Sequence, residues 1–434
     1  MKISVIGTGY VGLVTAAGLA EFGHAVIGAD KDREKIEKIA QGVVPIYEPG
    51  LEELLRANLK RSNLAFSPDL DKTIQSSDVI FVCVGTPQNE DGSTDMSQIE
   101  EVSRLIAENL NSYKLVVEKS TVPVKTSLWI GRTISLYKKT EMDFDIASNP
   151  EFLREGSAVQ DFLNPDRIII GVETERARDT LLKIYKKFRR RLVITNIDTA
   201  ELIKHASNSF LALKISYINL ISNVCEKTSA NVEQVAQGMG LDPRIGSRFL
   251  KAGVGYGGSC FPKDIKALTK IGEDLGVDMS LLKEADKINL ERTRLFVEKM
   301  KHALWILKDK KIGVLGLSFK PETDDIREAP SIKVIGELLK EGAILHLYDP
   351  QAMENMKQIF PENPPRLIYK NSPYQASDEA NALLIITEWD EFIRLDLRKV
   401  KELMANPIIV DGRNVFEPEE VRKLGFEYYS IGRK

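Results

Sequence analysis

The stretch Lys2-Ile3-Ser4-Val5-Ile6-Gly7-Thr8-Gly9-Tyr10-Val11-Gly12 decides the fold of this chain. An apolar run of strand length enters G-x-G-x-x-G, and an alanine-rich helical pattern follows through about Phe22. A second apolar strand, Ala25–Ala29, ends at Asp30. In that context Gly7 makes the tight turn, Gly9 lets backbone approach a pyrophosphate, and Gly12 permits close helix–strand packing. Tyr10 and Val11 belong to the same cofactor-binding turn. Asp30 stands where a carboxylate accepts ribose hydroxyls, which favours NAD over NADP. Lys31 and Lys35 nearby keep a 2′-phosphate as the other reading. The same opening, Lys2 with apolar residues and Thr15-Ala16-Ala17-Gly18-Leu19-Ala20, superficially resembles a secretory signal. Its glycine spacing and its continuation into a strand ending at Asp30 are better explained by folded structure.

Outward from this turn, residues 1 to about 195 alternate short apolar strands with helical patterns, as a parallel α/β sheet does. The clearest further strands are residues 79–84, 114–118 and 167–170. Turns after strands lie at the edge where open α/β sheets bind ligands. Gly85-Thr86-Pro87 and Ser120-Thr121-Val122-Pro123 are therefore either cofactor contacts or ordinary βα turns. From about Asp198 to His302 the pattern is helical. Asp198 or Thr199 is expected to cap a long helix through about Ser229, with Glu201 in its first turn. Its apolar residues spread around most of the circumference, which predicts burial in a core or against a second subunit. Cys225 on that helix and Cys83 in an apolar strand read as core.

Near Lys310 the opening design repeats. Lys311-Ile312-Gly313-Val314-Leu315-Gly316-Leu317 is followed by a helix from about Pro330 and a strand, Ile344–Tyr348, that ends at Asp349. Residues 382–386 and 407–411 are later strands. No third glycine completes the fingerprint, so this second doubly wound domain suits a nucleotide other than a dinucleotide. The expected division is 1–196 for a Rossmann-like NAD-binding domain, 197–303 for a central helical, dimerising region, and 304–434 for a C-terminal Rossmann-like nucleotide-binding domain. The fold class is α/β: two Rossmann-like doubly wound domains joined by a helical region with a long connecting helix.

The chain's 434 residues exceed one typical core. Its hydrophobic content of 43% and charged content of 28% are those of a soluble globular protein. A net charge of −3 gives no global field for nucleic acid. No apolar run approaches the roughly 20 residues that cross a bilayer. The 3 Cys form no C-x-x-C pair, which suits a reducing, cytoplasmic compartment. The 4 His show no metal-ligand spacing, so no metal site is expected.

The chemistry centres on Cys260. Lys251-Ala252-Gly253-Val254-Gly255-Tyr256-Gly257-Gly258-Ser259-Cys260-Phe261-Pro262-Lys263-Asp264 reads as a glycine-rich loop entering a helix, with Pro262 in its first turn. A helix N-terminus and a nearby cation both favour a thiolate. Lys204 and Asn208, at i and i+4 on the long helix, face the same way. A lysine on an otherwise apolar helix is costly unless it has a partner or a task. His205 points elsewhere and reads as structural. Asn149-Pro150-Glu151-Phe152-Leu153-Arg154-Glu155-Gly156 follows a strand, and its carboxylates serve either as base and ligand contacts or as a solvated turn. Hydride transfer alone needs no cysteine. A thiolate becomes useful when an aldehyde must go on to an acid through thiohemiacetal and thioester stages.

These motifs together resemble the UDP-glucose/GDP-mannose dehydrogenase family over nearly the whole length. The resemblance rests on residues 7–12, 85–87, 120–123, 149–156, 165–167, 200–204 with Asn208, 244–246, 253–264, 316–320 and 411–414. It departs at Lys125, where the family usually has glycine. The resemblance implies NAD-dependent oxidation of UDP-glucose to UDP-glucuronate, with Cys260 as nucleophile. It also implies Lys204 and Asn208 at the reacting oxygen, Asp264 assisting the thiol and water, and Glu151 and Thr121 positioning water or acting as base. Asp30, Lys35, Thr86, Thr121, Glu155, Lys263 and Arg327 are implied NAD contacts. Phe152, Leu153, Lys204, Asn208, Lys251, Tyr256, Gly257, Phe319, Lys320 and Arg413 are implied contacts of the nucleotide sugar. Arg244 is implied to arrive from a neighbouring subunit of a homodimer or higher oligomer. Rival expectations are the same chemistry on GDP-mannose or a UDP-N-acetylhexosamine, a sugar epimerase with retained NAD, and a non-catalytic nucleotide sensor. An epimerase gives Cys260 no role, and the chain lacks support from a Tyr-x-x-x-Lys pair. A sensor leaves Cys260, Lys204, Asn208 and Asp264 unexplained together.

Overall fold

Strand β1 (Lys2–Ile6) is buried from Ile3 onward, and its parallel pairing with β2 (Ala25–Ala29) puts Ile6 opposite Ala29. That register brings Gly7 beside the end of β2, where its N–H donates to the Ala29 carbonyl at 2.8 Å. The computed structural model describes residues 1–188 and 190–434. The chain forms two units: Met1–Ser207 with Lys266–Gly276, and Asn208–Ile265 with Val277–Lys434.

In the first unit β3 (Leu64–Ser67), β4 (Val79–Val82), β5 (Lys114–Glu118), β6 (Phe144–Ser148), β7 (Ile168–Val172) and β8 (Leu192–Thr195) complete an eight-stranded sheet. Its order is β3-β2-β1-β4-β5-β6-β7-β8, whose first six strands follow the Rossmann order. Those six strands run parallel, as expected, but β7 pairs antiparallel with β6. The link through residues 149–167 holds only the 6-residue helix Ala158–Leu163, not a full crossover. The C-terminal end of β7 therefore lies at the edge opposite the turns after β4 and β5. The helix Tyr10–Glu21 is buried continuously from Gly12 to Ala20. Small side chains suit such a helix, which is packed on nearly all sides.

The second unit carries β9 (Lys311–Leu315), β10 (Ile344–Tyr348), β11 (Leu367–Tyr369), β12 (Ala382–Ile385), β13 (Ile408–Asp411) and β14 (Glu427–Tyr429). All run parallel in the order β11-β10-β9-β12-β13-β14. One core joins this sheet to the helices around it, through Ile218, Phe296, Val314, Leu338 and Leu345.

The long helix spans Ile197–Lys227. Its cap is neither Asp198 nor Thr199: the Thr199 N–H donates to Asn196 Oδ1 at 2.8 Å, so Asn196 holds the open helix end. Its apolar circumference is only partly covered. Ile218 and Cys225 are buried, whereas Phe210, Tyr217, Leu220 and Val224 are exposed. No helix among the described residues is long and apolar enough to cross a membrane.

Candidate active site

In the first unit the fingerprint turn is shaped by contact. A Cβ on Gly12 would sit 1.8 Å from the Gly7 carbonyl oxygen, so only glycine lets the helix start this close to β1. A Cβ on Gly9 would meet nothing within 4 Å, because that side of the turn faces an open cleft. The cleft is lined by Gly7, Gly9, Asp30, Lys31, Lys35, Cys83, Gly85, Gln98 and Glu101, among others. Asp30 accepts from the Thr8 N–H at 2.9 Å, the Thr8 hydroxyl at 2.8 Å and Lys35 Nζ at 2.5 Å. Burial alone would raise its carboxyl, but the Lys35 and Thr8 bonds outweigh burial and hold it below the usual range. Lys31 is engaged with Glu101 at 3.0 Å. Both cations beside Asp30 thus already hold a carboxylate, which weakens the 2′-phosphate reading. An open glycine cradle with a carboxylate at the next strand end fits a dinucleotide. Thr86 follows β4, and its hydroxyl donates to the Thr121 carbonyl at 2.9 Å, tying together the two turns expected at the cofactor.

The segment after β6 is a fixed structure, not a solvated turn. Asn149 and Glu151 are buried. Lys204 Nζ lies 2.8 Å from Glu151 Oε1, and the Leu153 N–H donates to Glu151 Oε2 at 2.6 Å. Lys204 also faces the Phe152 ring, 5.3 Å from its centroid. The lysine on the apolar helix therefore has a buried partner. His205 is bonded to the Val122 carbonyl at 2.8 Å, as a structural residue should be.

Several groups that hold this segment escape a sequence reading. Asn149 Oδ1 accepts from Lys119 Nζ at 3.1 Å and from the Tyr185 hydroxyl at 2.6 Å. Burial pushes the Lys119 ammonium down to about 8 and the adjacent Glu118 carboxyl up to about 8. Their only sequence signal is a charged pair at the end of an apolar strand. The Tyr10 hydroxyl bonds the Glu48 carboxylate, which also accepts the Gly156 N–H at 2.6 Å. Glu201 is buried and accepts from the N–H groups of Lys125 and Ser127 at 2.6 and 2.9 Å. Lys125 has φ 77°, the left-handed region where glycine is the unstrained choice. A glycine there, as the resemblance leads one to expect, would carry no such strain.

The helix Phe261–Asp274 begins directly after Cys260, and its first turn, through Ile265, belongs to the second unit. The Asp264 N–H donates to the Cys260 carbonyl at 2.8 Å, so Cys260 is the residue that caps the helix. Cys260 as a residue is partly exposed, whereas Cys83 and Cys225 are buried. Burial pushes the Cys83 thiol up to about 12, leaving it inert as a nucleophile. Asp264 is 1% exposed and accepts from Asn208 Nδ2 at 2.6 Å, with Lys263 Nζ at 3.3 Å from its other oxygen. Thiol, carboxylate and amide thus sit within one turn of a helix start.

The glycines upstream of Cys260 serve packing as much as ligand space. A Cβ on Gly258 would lie 2.7 Å from the Phe319 ring. Arg413 Nη2 donates to the Phe319 carbonyl at 3.3 Å, and Arg413 Nε donates to the Ile386 carbonyl at 2.7 Å. Gly253, Gly258, Phe319 and Arg413 are therefore gathered in one place, with Lys320 Nζ 5.5 Å from the centroid of the Phe319 ring. Lys251 and Arg244 are exposed, and Arg244 folds back on Asp242 at 2.6 Å. Of the residues expected at the cofactor, Lys263 and Arg327 belong to this second unit. Arg327 pairs with Asp325 at 2.6 Å.

Comparison with known proteins matches three family models in succession. Residues 1–189 match the NAD binding domain of the UDP-glucose/GDP-mannose dehydrogenase family, 198–291 its central domain, and 313–418 its UDP binding domain. The chain is 45% identical to UDP-glucose 6-dehydrogenase YwqF of Bacillus subtilis (strain 168), covering 100% of this chain and 98% of that protein. A UDP-glucose dehydrogenase structure from the archaeon Pyrobaculum islandicum superposes with a TM-score of 0.93 at 38% identity, covering 100% of this chain and 98% of that one. The UDP-D-ManNAc dehydrogenase structure from Pyrococcus horikoshii gives 0.88 at 29% identity, covering 100% and 99%.

Proposed function

The chain belongs to the UDP-glucose/GDP-mannose dehydrogenase family, and from that premise we propose that it oxidises the C6 alcohol of UDP-glucose to the carboxylate of UDP-glucuronate. Each turnover consumes two NAD⁺ and one water. NAD, when bound at the Gly7–Gly9–Gly12 turn with its ribose at Asp30, accepts the hydrides. Tyr10, Val11, Lys35, Thr86, Thr121, Glu155, Lys263 and Arg327 complete the proposed cofactor contacts.

The observation that carries the reading is Cys260 as the cap of a helix, partly exposed, with Asn208 bonded to Asp264 one turn inside. The helix end favours the thiolate. That thiolate adds to the aldehyde carbon to give a thiohemiacetal, and loss of a second hydride leaves a thioester on the sulfur. Water attacks the thioester carbon, and the sulfur leaves as thiolate. Lys204 and Asn208 stabilise the charge that builds on the reacting oxygen. Glu151, bonded to Lys204, and Thr121 orient water or take its proton, and Asp264 keeps Asn208 aimed. Phe152, Leu153, Lys251, Tyr256, Gly257, Phe319, Lys320 and Arg413 hold the nucleotide sugar.

The division at 1–196, 197–303 and 304–434 gives cofactor, helical and nucleotide-sugar parts. The uncovered apolar face of the long helix, with Phe210, Tyr217 and Val224, supports a homodimer or higher oligomer, in which Arg244 of a neighbouring copy reaches the substrate. Free cysteines support a cytoplasmic setting. UDP-glucose is preferred over an N-acetylhexosamine substrate because the UDP-glucose enzymes are the more similar relatives, at 45% and 38% against 29% identity.

Cys260→Ser tests the reading. Wild type is expected to form two NADH per UDP-glucose. The variant should bind both ligands yet lose steady-state acid formation, since serine is the poorer nucleophile and ester leaving group. Turnover within a few-fold of wild type would remove the covalent step.

A further inference from the structure

The loop that presents Arg413 is held by buried polar groups that the chemistry above does not use. All belong to the second unit. Asp411, at the end of β13, is fully buried. It accepts from the Arg413 N–H at 2.8 Å, the Val415 N–H at 2.8 Å, the Phe416 N–H at 3.3 Å and the Tyr428 hydroxyl at 2.7 Å. The Tyr428 hydroxyl in turn accepts from Arg433 Nη2 at 3.0 Å. Arg433 also donates from Nη2 to the Phe416 carbonyl at 2.9 Å, and its Nη1 meets Glu233 Oε2 at 2.8 Å. Asn414 and Ile431 exchange two further bonds, each of 2.9 Å. Burial raises both the Asp411 carboxyl and the Tyr428 hydroxyl, which keeps the hydroxyl protonated as the donor between them.

The side chain of Arg433 is 1% exposed. A guanidinium so far from water costs more than an apolar side chain of the same size, so stability alone does not explain it. What it supplies is a rigid fork that fixes several oxygens at once. Here the fork joins the Arg413 loop, β14 and the start of the helix Val232–Gly240, which leads to the turn bearing Arg244.

We propose that Arg433 is a positioning residue for nucleotide-sugar binding: through Tyr428, Phe416 and Asp411 it sets the loop from which Arg413 reaches the ligand. The proposal rests on the reading of Arg413 as a nucleotide-sugar contact. UDP alone is the probe, because its binding is independent of turnover. NAD⁺ binding, which draws on the fingerprint of the first unit, is the internal control, and Arg413→Ala is the benchmark.

Arg433→Ala is expected to weaken UDP binding about tenfold, the equivalent of ~1.4 kcal/mol. NAD⁺ affinity should stay within about twofold, and Arg433→Lys should recover part of the loss, since it keeps the charge without the fork. Tyr428→Phe removes a single oxygen and should weaken UDP binding on its own. Combined with Arg433→Ala it should add little, as links of one network do. Should Arg433→Ala fail to fold, Tyr428→Phe carries the test. A lower melting temperature with unchanged UDP affinity would mean a structural brace and would overturn the proposal. Equal weakening of UDP and NAD⁺ would mean general unfolding and would overturn it as well. Unchanged UDP binding by Arg413→Ala would instead overturn the reading of Arg413 itself.

Discussion

The chain opens two doubly wound sheets in the same way, strand, glycine turn, helix, second strand and aspartate, and then uses the two aspartates oppositely. After β1 the helix begins at once, at Tyr10, so Asp30 sits at the lip of an open cleft. After β9 the chain runs from Gly316 to Ala329 before its helix begins at Pro330. The first residues of that loop turn their own N–H groups onto the second aspartate. Asp349 is wholly buried and accepts from the N–H groups of Leu317, Ser318, Gln351 and Ala352, the Ser318 hydroxyl and Trp389 Nε1. One aspartate is thus available to a ligand and the other is consumed by its own loop. The fingerprint is therefore informative through the distance from strand to helix as well as through its glycines.

Asp349→Ala orphans buried donors on Leu317, Ser318 and Trp389, each worth about 1–3 kcal/mol, so a stability loss of roughly 3–5 kcal/mol is expected. Thermal unfolding should show it as a melting temperature lower by about 6 °C or more. NAD⁺ affinity of the folded protein should not change. Weaker NAD⁺ binding with intact stability would mean that the second aspartate is a ligand residue after all.

A smaller effect comes from His346 on β10, the strand that ends at Asp349. Burial, with Lys370 and Lys311 nearby, pushes this imidazole down to about 4. The folded state thus resists a proton that the unfolded chain accepts near pH 6.5. Stability should be in place above pH 6.5 and be lost as pH falls toward 4, by at most about 3 kcal/mol. His346→Gln should flatten that stretch of the stability–pH curve. An unaltered slope between pH 6.5 and 4 would assign the acid sensitivity to other groups.

Both sheets were legible where strands are wholly apolar or bounded by glycine. The strands β1, β2, β5 and β10 fall where the pattern puts them. Strands β3, β8 and β14 carry no such pattern because they are half-exposed and owe their place to edge pairing. β6 is interior yet hides behind Asp145, whose charge is met by Arg176 at 2.8 Å and the Tyr113 hydroxyl at 2.8 Å. Asn196 is obscured as a cap by Asp198, an equally able capping residue, and by Thr199, a somewhat weaker one. In the candidate site, Cys260, Asp264, Lys204 and Asn208 announce themselves by type and spacing. Glu48, Lys119, Tyr185 and Arg433 do not, because each acts on a partner brought close only by folding.

Asp30, the aspartate at the open cleft, gives a smaller change. Its carboxylate is the acceptor for ribose hydroxyls and also the partner of Lys35, at 2.5 Å. Asp30→Ala therefore changes two things together. It removes an acceptor, which should weaken NAD⁺ binding on the order of tenfold, or ~1.4 kcal/mol. It also frees the Lys35 ammonium at the place a 2′-phosphate would occupy, so NADP⁺ should be used better than by wild type. Lys31 adds little to this while it stays paired with Glu101 at 3.0 Å. The melting temperature should move far less than in Asp349→Ala, since Asp30 lies at an open cleft where water replaces its bonds. The kcat/KM ratio of NAD⁺ to NADP⁺, measured for both proteins, checks the claim. A ratio near one in wild type would show that the lysines already accept the phosphate, and the two aspartates would then differ in burial but not in cofactor selection.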